Sequence, residues 1–319
     1  MQQRTIGKSS LNVSPIAFGG NVFGWTLGQQ ASFEILDAFV AAGFNLIDTA
    51  DVYSRWVPGN QGGESEAIIG NWLQQRGNRD KVVIATKIGA NLGPGHPDVS
   101  RKHIIKGVED SLLRLQTDYI DLYQTHFDNE STPVEETLEA YARLIQDGKV
   151  RFIGTSNMSP ARLKASLEAS EKNGYPAYVS LQPEYNLVER EKYETQYQPI
   201  VREYGLGVLN YYSLANGFLT GKYRSKADLS KSQRGQGVKK YLTEQNLNLL
   251  KVLDEVAATH NATPASISLA WLMAQPTITA PIASATSTEQ LESFTQAIEI
   301  PLSETEIQAI TEASEYVTV

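Results

Sequence analysis

Four side chains of this 319-residue chain could do proton chemistry together. Asp48 ends the apolar run 44–48, and Tyr53 stands five residues beyond it. Lys87 ends the run 81–87, and His126 ends the run 119–126. An apolar strand that ends in an unpaired ammonium is costly, so Lys87 needs a carboxylate, and Asp48 on the preceding run is the obvious partner. A free phenol, with a pKa of about 10, gives up its proton poorly at neutral pH. A close ammonium stabilises the phenolate, so Tyr53 is expected to titrate below that value. Such a tyrosine can serve as general acid toward a carbonyl oxygen, or as base toward an alcohol. His126 can add a hydrogen bond to the same oxygen. Taken singly, an aspartate at a strand end often caps a helix, a tyrosine usually packs and a histidine usually bonds structurally. The joint placement of the four carries the functional reading.

These residues need a scaffold that gathers the ends of separate runs. Eight short apolar runs lie at 15–19, 44–48, 81–87, 119–126, 150–155, 178–182, 207–211 and 279–283. Most are continuously apolar, as parallel strands covered on both faces are. Amphipathic segments separate them. Residues 31–42 place Phe33, Ile35, Leu36, Phe39 and Val40 toward one side, and 64–76 carry Ile68, Ile69, Trp72 and Leu73. Segment 100–115 opens on Ser100 as N-cap and repeats Ile104, Ile105, Val108, Leu112 and Leu115 at helical spacing. Segment 133–146 follows Thr132, with Pro133 at the first helical position, Glu135 and Glu136 in the first turn, and Asp147-Gly148 as its stop. Ser159-Pro160 opens another helix. Strands alternating with helices in this number predict an α/β fold, a (β/α)8 TIM barrel, as one domain over 1–319. The competing doubly wound sheet usually carries a Gly-x-Gly-x-x-Gly turn after its first strand, whereas this chain offers Gly20-x-x-x-Gly24. Residues 5–13 read as an N-terminal β-hairpin around Gly7-Lys8-Ser9-Ser10 that plugs one barrel end. Residues 217–241, after the seventh strand, form a long polar loop expected to be irregular, with Lys222, Arg224, Lys226, Lys231, Arg234, Lys239 and Lys240.

Composition bounds the chemistry further. The net charge is −8 with a pI near 5.2, so no basic surplus exists for nucleic acid, although a local pocket for one anion remains open. There is no cysteine, which removes disulfides, thiolate nucleophiles, zinc–thiolate sites and iron–sulfur clusters together. The histidines, His96, His103, His126 and His260, show no metal-ligand spacing, so no metal is expected. No run of about 18 apolar residues occurs and Met1-Gln2-Gln3-Arg4 opens no signal peptide, so a cytoplasmic protein without membrane contact is expected.

The segment Gly43-Phe44-Asn45-Leu46-Ile47-Asp48-Thr49-Ala50-Asp51-Val52-Tyr53, then Gly63-Glu64-Ser65-Glu66, Thr86-Lys87, and Ser111-Leu112-x-Arg114-Leu115-x-x-Asp118-Tyr119-Ile120-Asp121-Leu122-Tyr123-x-x-His126 resemble the aldo-keto reductase superfamily in order and spacing. The resemblance covers nearly the whole chain. It implies hydride transfer from a reduced nicotinamide dinucleotide to an aldehyde or ketone, without a Rossmann fold. Tyr53 would be the acid/base, tuned by Lys87 and Asp48, with His126 orienting the carbonyl. Ser156, Asn157 and Gln182 match positions that hold the nicotinamide carboxamide, and Tyr211 matches the aromatic that stacks on its ring. Asn21 joins these cofactor positions. Leu214, Asn216, Gly217, Thr220, Lys222 and Arg234 resemble the loop that covers the pyrophosphate. Ser284, Thr286, Thr288 and Gln290 resemble the turn and helix start that hold the adenosine phosphate, where hydroxyls and a helix N-terminus suit an anion.

There are departures. NADPH is the expected cofactor, but many relatives carry Arg or Lys where this chain has Thr and Ser near 286–288, which keeps NADH as the other option. Ser293 and Phe294 replace polar adenine contacts, and Tyr212 replaces a serine after the stacking aromatic. Trp25, Trp56 and Phe127 follow the ends of three strands and are read as a substrate pocket. Asp51, Glu64 and Glu66 could form a glycosidase carboxylate pair, but they share one loop–helix segment, so helix capping or pairing with the basic loop is expected instead. A cofactor-binding barrel subunit of a larger assembly, with slow redox chemistry, is the alternative reading. A homo-oligomer is compatible with either.

Overall fold

The computed structural model describes residues 1–90, 95 and 97–316. His96, read above as part of a loop, lies outside the described residues, as do residues 91–94. Eight parallel strands form the central sheet: β3 (Ala17–Gly19), β4 (Leu46–Asp48), β5 (Val83–Ile88), β6 (Ile120–Thr125), β7 (Val150–Ser156), β8 (Ser180–Gln182), β9 (Gly207–Val208) and β10 (Ile282–Ala283). Each falls inside or beside one of the apolar runs. β10 pairs with β3 at one edge. At the other edge Thr279 N–H donates to Val208 O at 2.9 Å and Ile282 N–H to Asn210 O at 2.9 Å, which curls the sheet into a barrel.

Alternation along each strand decides what faces where. Ala17, Leu46, Ala85, Leu122, Val179, Leu209, Ala280 and Ile282 fill the barrel interior, while Phe18, Ile47, Ile84, Tyr123, Ile153, Leu181 and Val208 face the helices. Both faces being buried explains why the runs are apolar without alternation. The hairpin β1 (Arg4–Thr5) and β2 (Asn12–Val13) pairs antiparallel as expected. Its Ile6, Leu11 and Val13 join the interior cluster. Its Gly7 sits at φ +49°, and a Cβ there would lie 2.2 Å from Val179 O, so the turn seals the N-terminal end of the barrel.

The helices α1 (Gln29–Ala41), α2 (Glu64–Arg76), α3 (Arg101–Leu115), α4 (Val134–Gln146) and α5 (Pro160–Asn173) match the five read from sequence to within two residues. Ser100 Oγ accepts from His103 N–H, and Ser159 Oγ from Arg162 N–H, as N-caps do. Pro133 stands one place earlier than expected, at the N-cap of α4. The segment after β9 is less irregular than expected. It coils through 3-10 turns at Ala215–Thr220, Lys226–Lys231 and Lys239–Tyr241, around a short α-helical turn Gly235–Val238. Buried Phe218, Leu219, Tyr223, Leu229, Val238 and Tyr241 anchor it. Arg224–Asp254 and Lys240–Glu189 pairs, each at 2.7 Å, tie its ends down. Thr288–Glu299 begins at the helix start read near Thr288, and further helices that were not singled out from sequence complete the outer layer: Gln198–Tyr204, Glu244–Thr259, Pro264–Ala274 and Glu304–Ala313. Among the described residues no helix is long and apolar enough to cross a membrane.

Helices α2 and α3 touch at backbone distance. A Cβ on Gly70 would lie 2.1 Å from Arg114 O and 2.7 Å from Leu115 C. Backbone atoms cannot rotate aside, so Gly70→Ala is expected to destabilise the protein by roughly 1–3 kcal/mol in urea unfolding. Unchanged stability would mean that the two helices lie farther apart than described.

Candidate active site

The same strand parity that packs the barrel aims polar residues into its C-terminal mouth. Asp48 lies two residues beyond inward Leu46, Lys87 two beyond Ala85, and Gln124 two beyond Leu122. Lys87 is wholly buried and Asp48 is 2 % exposed. The Lys87 ammonium has three hydrogens and three acceptors: Asp48 Oδ2 at 2.7 Å, Thr49 O at 2.7 Å and the Tyr53 hydroxyl at 2.8 Å. Asp48 Oδ1 in turn accepts from Gln182 Nε2 at 2.9 Å and Gln124 Nε2 at 3.4 Å. The Tyr53 oxygen therefore receives a hydrogen from Lys87, while its own proton has only a long contact, 3.4 Å, to Asp48. The Tyr53 and His126 rings meet edge-on with centroids 6.0 Å apart. Asp48, Tyr53, Lys87 and His126 thus converge at one mouth of the barrel.

The direction of the Tyr53 shift corrects the sequence expectation. Burial, and then the Asp48 carboxylate, push the phenol well above its usual value. The physical reason is the pair itself. With Asp48 only 2.7 Å from Lys87, the phenol faces a nearly neutral couple and not a bare cation, so desolvation wins. Burial lowers Lys87 while Asp48 opposes that shift. Burial and Lys87 hold His126 well below its ordinary range, so its ring is neutral near pH 7. Its Nδ1 is buried without a hydrogen-bond partner.

Around this cluster the mouth has an apolar side and a polar side. Trp25 and Trp56 meet edge-on at 5.7 Å, Tyr53 and Trp56 at 6.1 Å, and Phe127 stacks on His126 at 4.7 Å. Among the described residues, Val52, Arg55, Trp56, Ala90, Pro97 and Phe127 line an open cavity of about 540 Å³. On the polar side, Ser156 Oγ donates to Gln182 O at 2.8 Å. Asn157 Nδ2 donates to His126 O and to Ser156 Oγ, each at 3.0 Å, and its Oδ1 accepts from the Tyr211 hydroxyl at 3.0 Å. Arg234 lies with its guanidinium 5.2 Å from the Trp25 ring centre. With the Asn21 amide nitrogen toward Gly19 O and Ser284 Oγ, Asn21 Oδ1 accepts from Arg234 at 3.3 Å.

A family model for the aldo/keto reductase family matches residues 15–315. The chain belongs to that family. As an aldo/keto reductase it is an NAD(P)H-dependent oxidoreductase. It is 36 % identical over 312 residues to an uncharacterized oxidoreductase, YrpG, of Bacillus subtilis, covering 95 % of this chain and 92 % of that protein. It is 34 % identical to a probable voltage-gated potassium channel subunit beta of Arabidopsis thaliana, covering 94 % and 92 %. It is 31 % identical to the L-glyceraldehyde 3-phosphate reductase of Escherichia coli, covering 93 % and 88 %.

A dinucleotide needs amide partners, a flat wall and a cation, and side chains at the mouth could provide each. The Gln182 side-chain oxygen accepts no hydrogen bond among the described residues, which leaves an acceptor for a carboxamide N–H. Tyr211 is part-exposed, so a ring face is open to stack upon. Arg234 has no carboxylate within ion-pair distance among the described residues, and Tyr212, Tyr223 and Tyr53 are the charged or titratable groups felt most by it. An unpaired, half-buried guanidinium suits a pyrophosphate. Lys222 is exposed, with Nζ 5.2 Å from the centre of the Tyr223 ring. Leu214, Asn216, Gly217 and Thr220 bring the chain around with positive φ at Asn216 and Gly217. On the last strand Ser284 Oγ donates to Gly19 O at 2.7 Å, and the Thr286 N–H donates to Gln290 Oε1 at 2.9 Å. Thr288 opens the helix Thr288–Glu299, whose N-cap Ser287 makes no side-chain capping bond to a backbone N–H.

Sequence reading missed Gln124, although parity with Leu122 marks it as inward, and it missed Thr49 O, which no side-chain motif could reveal. Of the acidic residues Asp51, Glu64 and Glu66, one meets the capping expectation and two depart from it. Glu64 accepts from the N–H groups of Gln61 and Gly62, as a helix-start carboxylate does. Glu66 pairs with Arg114 and not with the basic loop. Asp51 does neither, and both its oxygens are buried without a partner.

Proposed function

We propose that this aldo/keto reductase reduces an aldehyde or ketone to the alcohol with NADPH, and that Tyr53 supplies the proton. The observation that carries this reading is the Lys87 ammonium shared between Asp48 and the Tyr53 hydroxyl. A reduced dinucleotide held in the mouth would provide the hydride for the carbonyl carbon, and the side chains do the rest. Tyr53, neutral at physiological pH, is in the acid form that reduction requires. As it releases its proton to the carbonyl oxygen, the phenolate forms at 2.8 Å from the ammonium. That contact strengthens as charge develops, which is where a hydrogen bond accelerates a reaction. Neutral His126 offers a hydrogen bond to the same oxygen without competing as an acid. Asp48 keeps Lys87 charged, and Gln124 and Gln182 hold Asp48 in place. Trp25, Trp56 and Phe127 form the wall against which an apolar part of the substrate rests and which keeps water away.

In this reading Ser156, Asn157 and Gln182 hold the carboxamide, and Tyr211 backs the ring. Asn21, Leu214, Asn216, Gly217, Thr220, Lys222 and Arg234 enclose the pyrophosphate. Ser284, Thr286, Thr288 and Gln290 take the adenosine end, where the helix N-terminus favours a phosphate. Neutral hydroxyls bond more weakly than an arginine does, so NADPH is expected to bind only about tenfold or less more tightly than NADH. Fluorescence titration of both dinucleotides measures this. Binding of neither would end the cofactor reading, and tighter NADH binding would reverse the assignment at 286–290.

A second reading keeps the cofactor but makes the barrel a subunit of a larger assembly with slow redox chemistry. The similarity to potassium channel beta subunits favours it. Turnover with a reactive aromatic aldehyde separates the two, since an assembly subunit is expected to bind NADPH without appreciable consumption.

A further inference from the structure

Among the described residues, Asp51 is a buried acid at the site that the proposed chemistry leaves unused and that has no ion-pair partner. It is 2 % exposed, sits three residues after Asp48 and two before Tyr53, and its backbone N–H reaches Lys87 O at 3.3 Å. Groups from several elements face it: Glu66 from α2, Lys87 from β5, Arg114 from α3, Tyr123 from β6 and Tyr141 from α4. The charged ones among these are already paired. Lys87 bonds Asp48 at 2.7 Å, and Arg114 bonds Glu66 at 2.7 Å, with Thr86 Oγ1 donating to the other Glu66 oxygen at 2.6 Å. The two couples, one buried and one with a part-exposed arginine, are therefore each neutral, and Asp51 is left over. Neither of its oxygens has a hydrogen-bond partner of normal geometry, although the Val52 backbone N–H approaches the carboxyl. An ionised carboxylate in that state is far more costly than the neutral acid.

We propose that Asp51 is a positioning residue whose carboxyl stays protonated behind Lys87, so that Asp48 alone balances the lysine that serves Tyr53. Burial and Glu66 push it in the same direction, with Arg114, Lys87 and the Val52 backbone N–H opposing more weakly. When Asp51 ionises at alkaline pH, Lys87 gains a second counter-charge and the developing Tyr53 phenolate loses part of its support. The protonation state follows from burial, the missing side-chain partners and the neighbouring ion pairs; the consequence for turnover rests on the proposed role of Tyr53.

Asp51→Asn tests both parts, because the amide copies the shape of the neutral acid at every pH. Unfolded Asp51 releases its proton at about pH 4, and the folded protein keeps it, so folded wild type binds the extra proton above that pH. Wild-type stability then falls as pH rises, and the variant escapes that loss. The folding equilibrium constant of the variant relative to wild type is expected to climb by up to about tenfold per pH unit above pH 4, until the folded carboxyl itself titrates. A ratio independent of pH would overturn the protonated carboxyl, whether or not the protein turns over any carbonyl. In turnover, the variant is expected to keep kcat within about threefold at neutral pH and to carry its alkaline limb to higher pH. A limb that does not move would overturn the positioning role. A loss of about 100-fold or more at neutral pH, in a variant with wild-type unfolding, would show that an ionised Asp51 is needed and would overturn the proposal outright.

Discussion

Tyr53→Phe is expected to lower kcat for aldehyde reduction by roughly 10²–10⁴-fold, the usual contribution of a positioned general acid. The ring keeps its edge contacts with Trp56 and His126, because the hydroxyl alone is removed. NADPH affinity should therefore stay within about twofold of wild type, so that kcat and kcat/KM fall together. Stopped-flow NADPH oxidation with a reactive aromatic aldehyde, beside a fluorescence titration of the cofactor, separates the two quantities. Equal turnover in both proteins would remove Tyr53 as the proton source, and His126 is too firmly neutral to replace it.

Lys87→Met should be costly in two ways. It leaves Asp48, 2 % exposed, without a cation, and a buried carboxylate stripped of its partner loses about 3–5 kcal/mol of stability. It also removes the hydrogen bond to Tyr53, so turnover should fall at least as far as in the Tyr53 variant. The double variant Asp48→Asn, Lys87→Met distinguishes these effects. With no lone charge in the barrel it should regain most of the lost stability while staying inactive. Urea unfolding of the two single variants and the double variant completes the cycle. A double variant as unstable as the sum of the singles would mean that Asp48 and Lys87 act independently, contrary to their 2.7 Å contact.

Much of the barrel was legible in the residues. Apolar runs of strand length, separated by capped amphipathic helices, are local signals. Ser100 and Ser159 cap the helices that start one residue after them, a signal confined to a few neighbouring residues. The order in which Asp48, Tyr53, Lys87 and His126 stand at the ends of runs is also local, and together with strand parity it determined which groups share the mouth. The later helices escaped for a physical reason. Pro264–Ala274 has nearly every residue buried, so it shows no amphipathic stripe to read. The segment 217–241 looked irregular because its turns are 3-10 and short, held by Arg224–Asp254 and Lys240–Glu189 pairs between residues far apart in sequence.

What the sequence by itself determined about this protein is the family, the strand order and the identity of the groups at the barrel mouth. Only the tertiary structure decided how those groups are charged. Tyr53 titrates upward and not downward, Glu66 belongs to Arg114, and Asp51 is left without any partner. Hydrophobic patterning acts between neighbours along the chain, so it can be read there. Desolvation and Coulomb energy depend on burial depth and on distances between separate strands, and neither exists until the barrel closes.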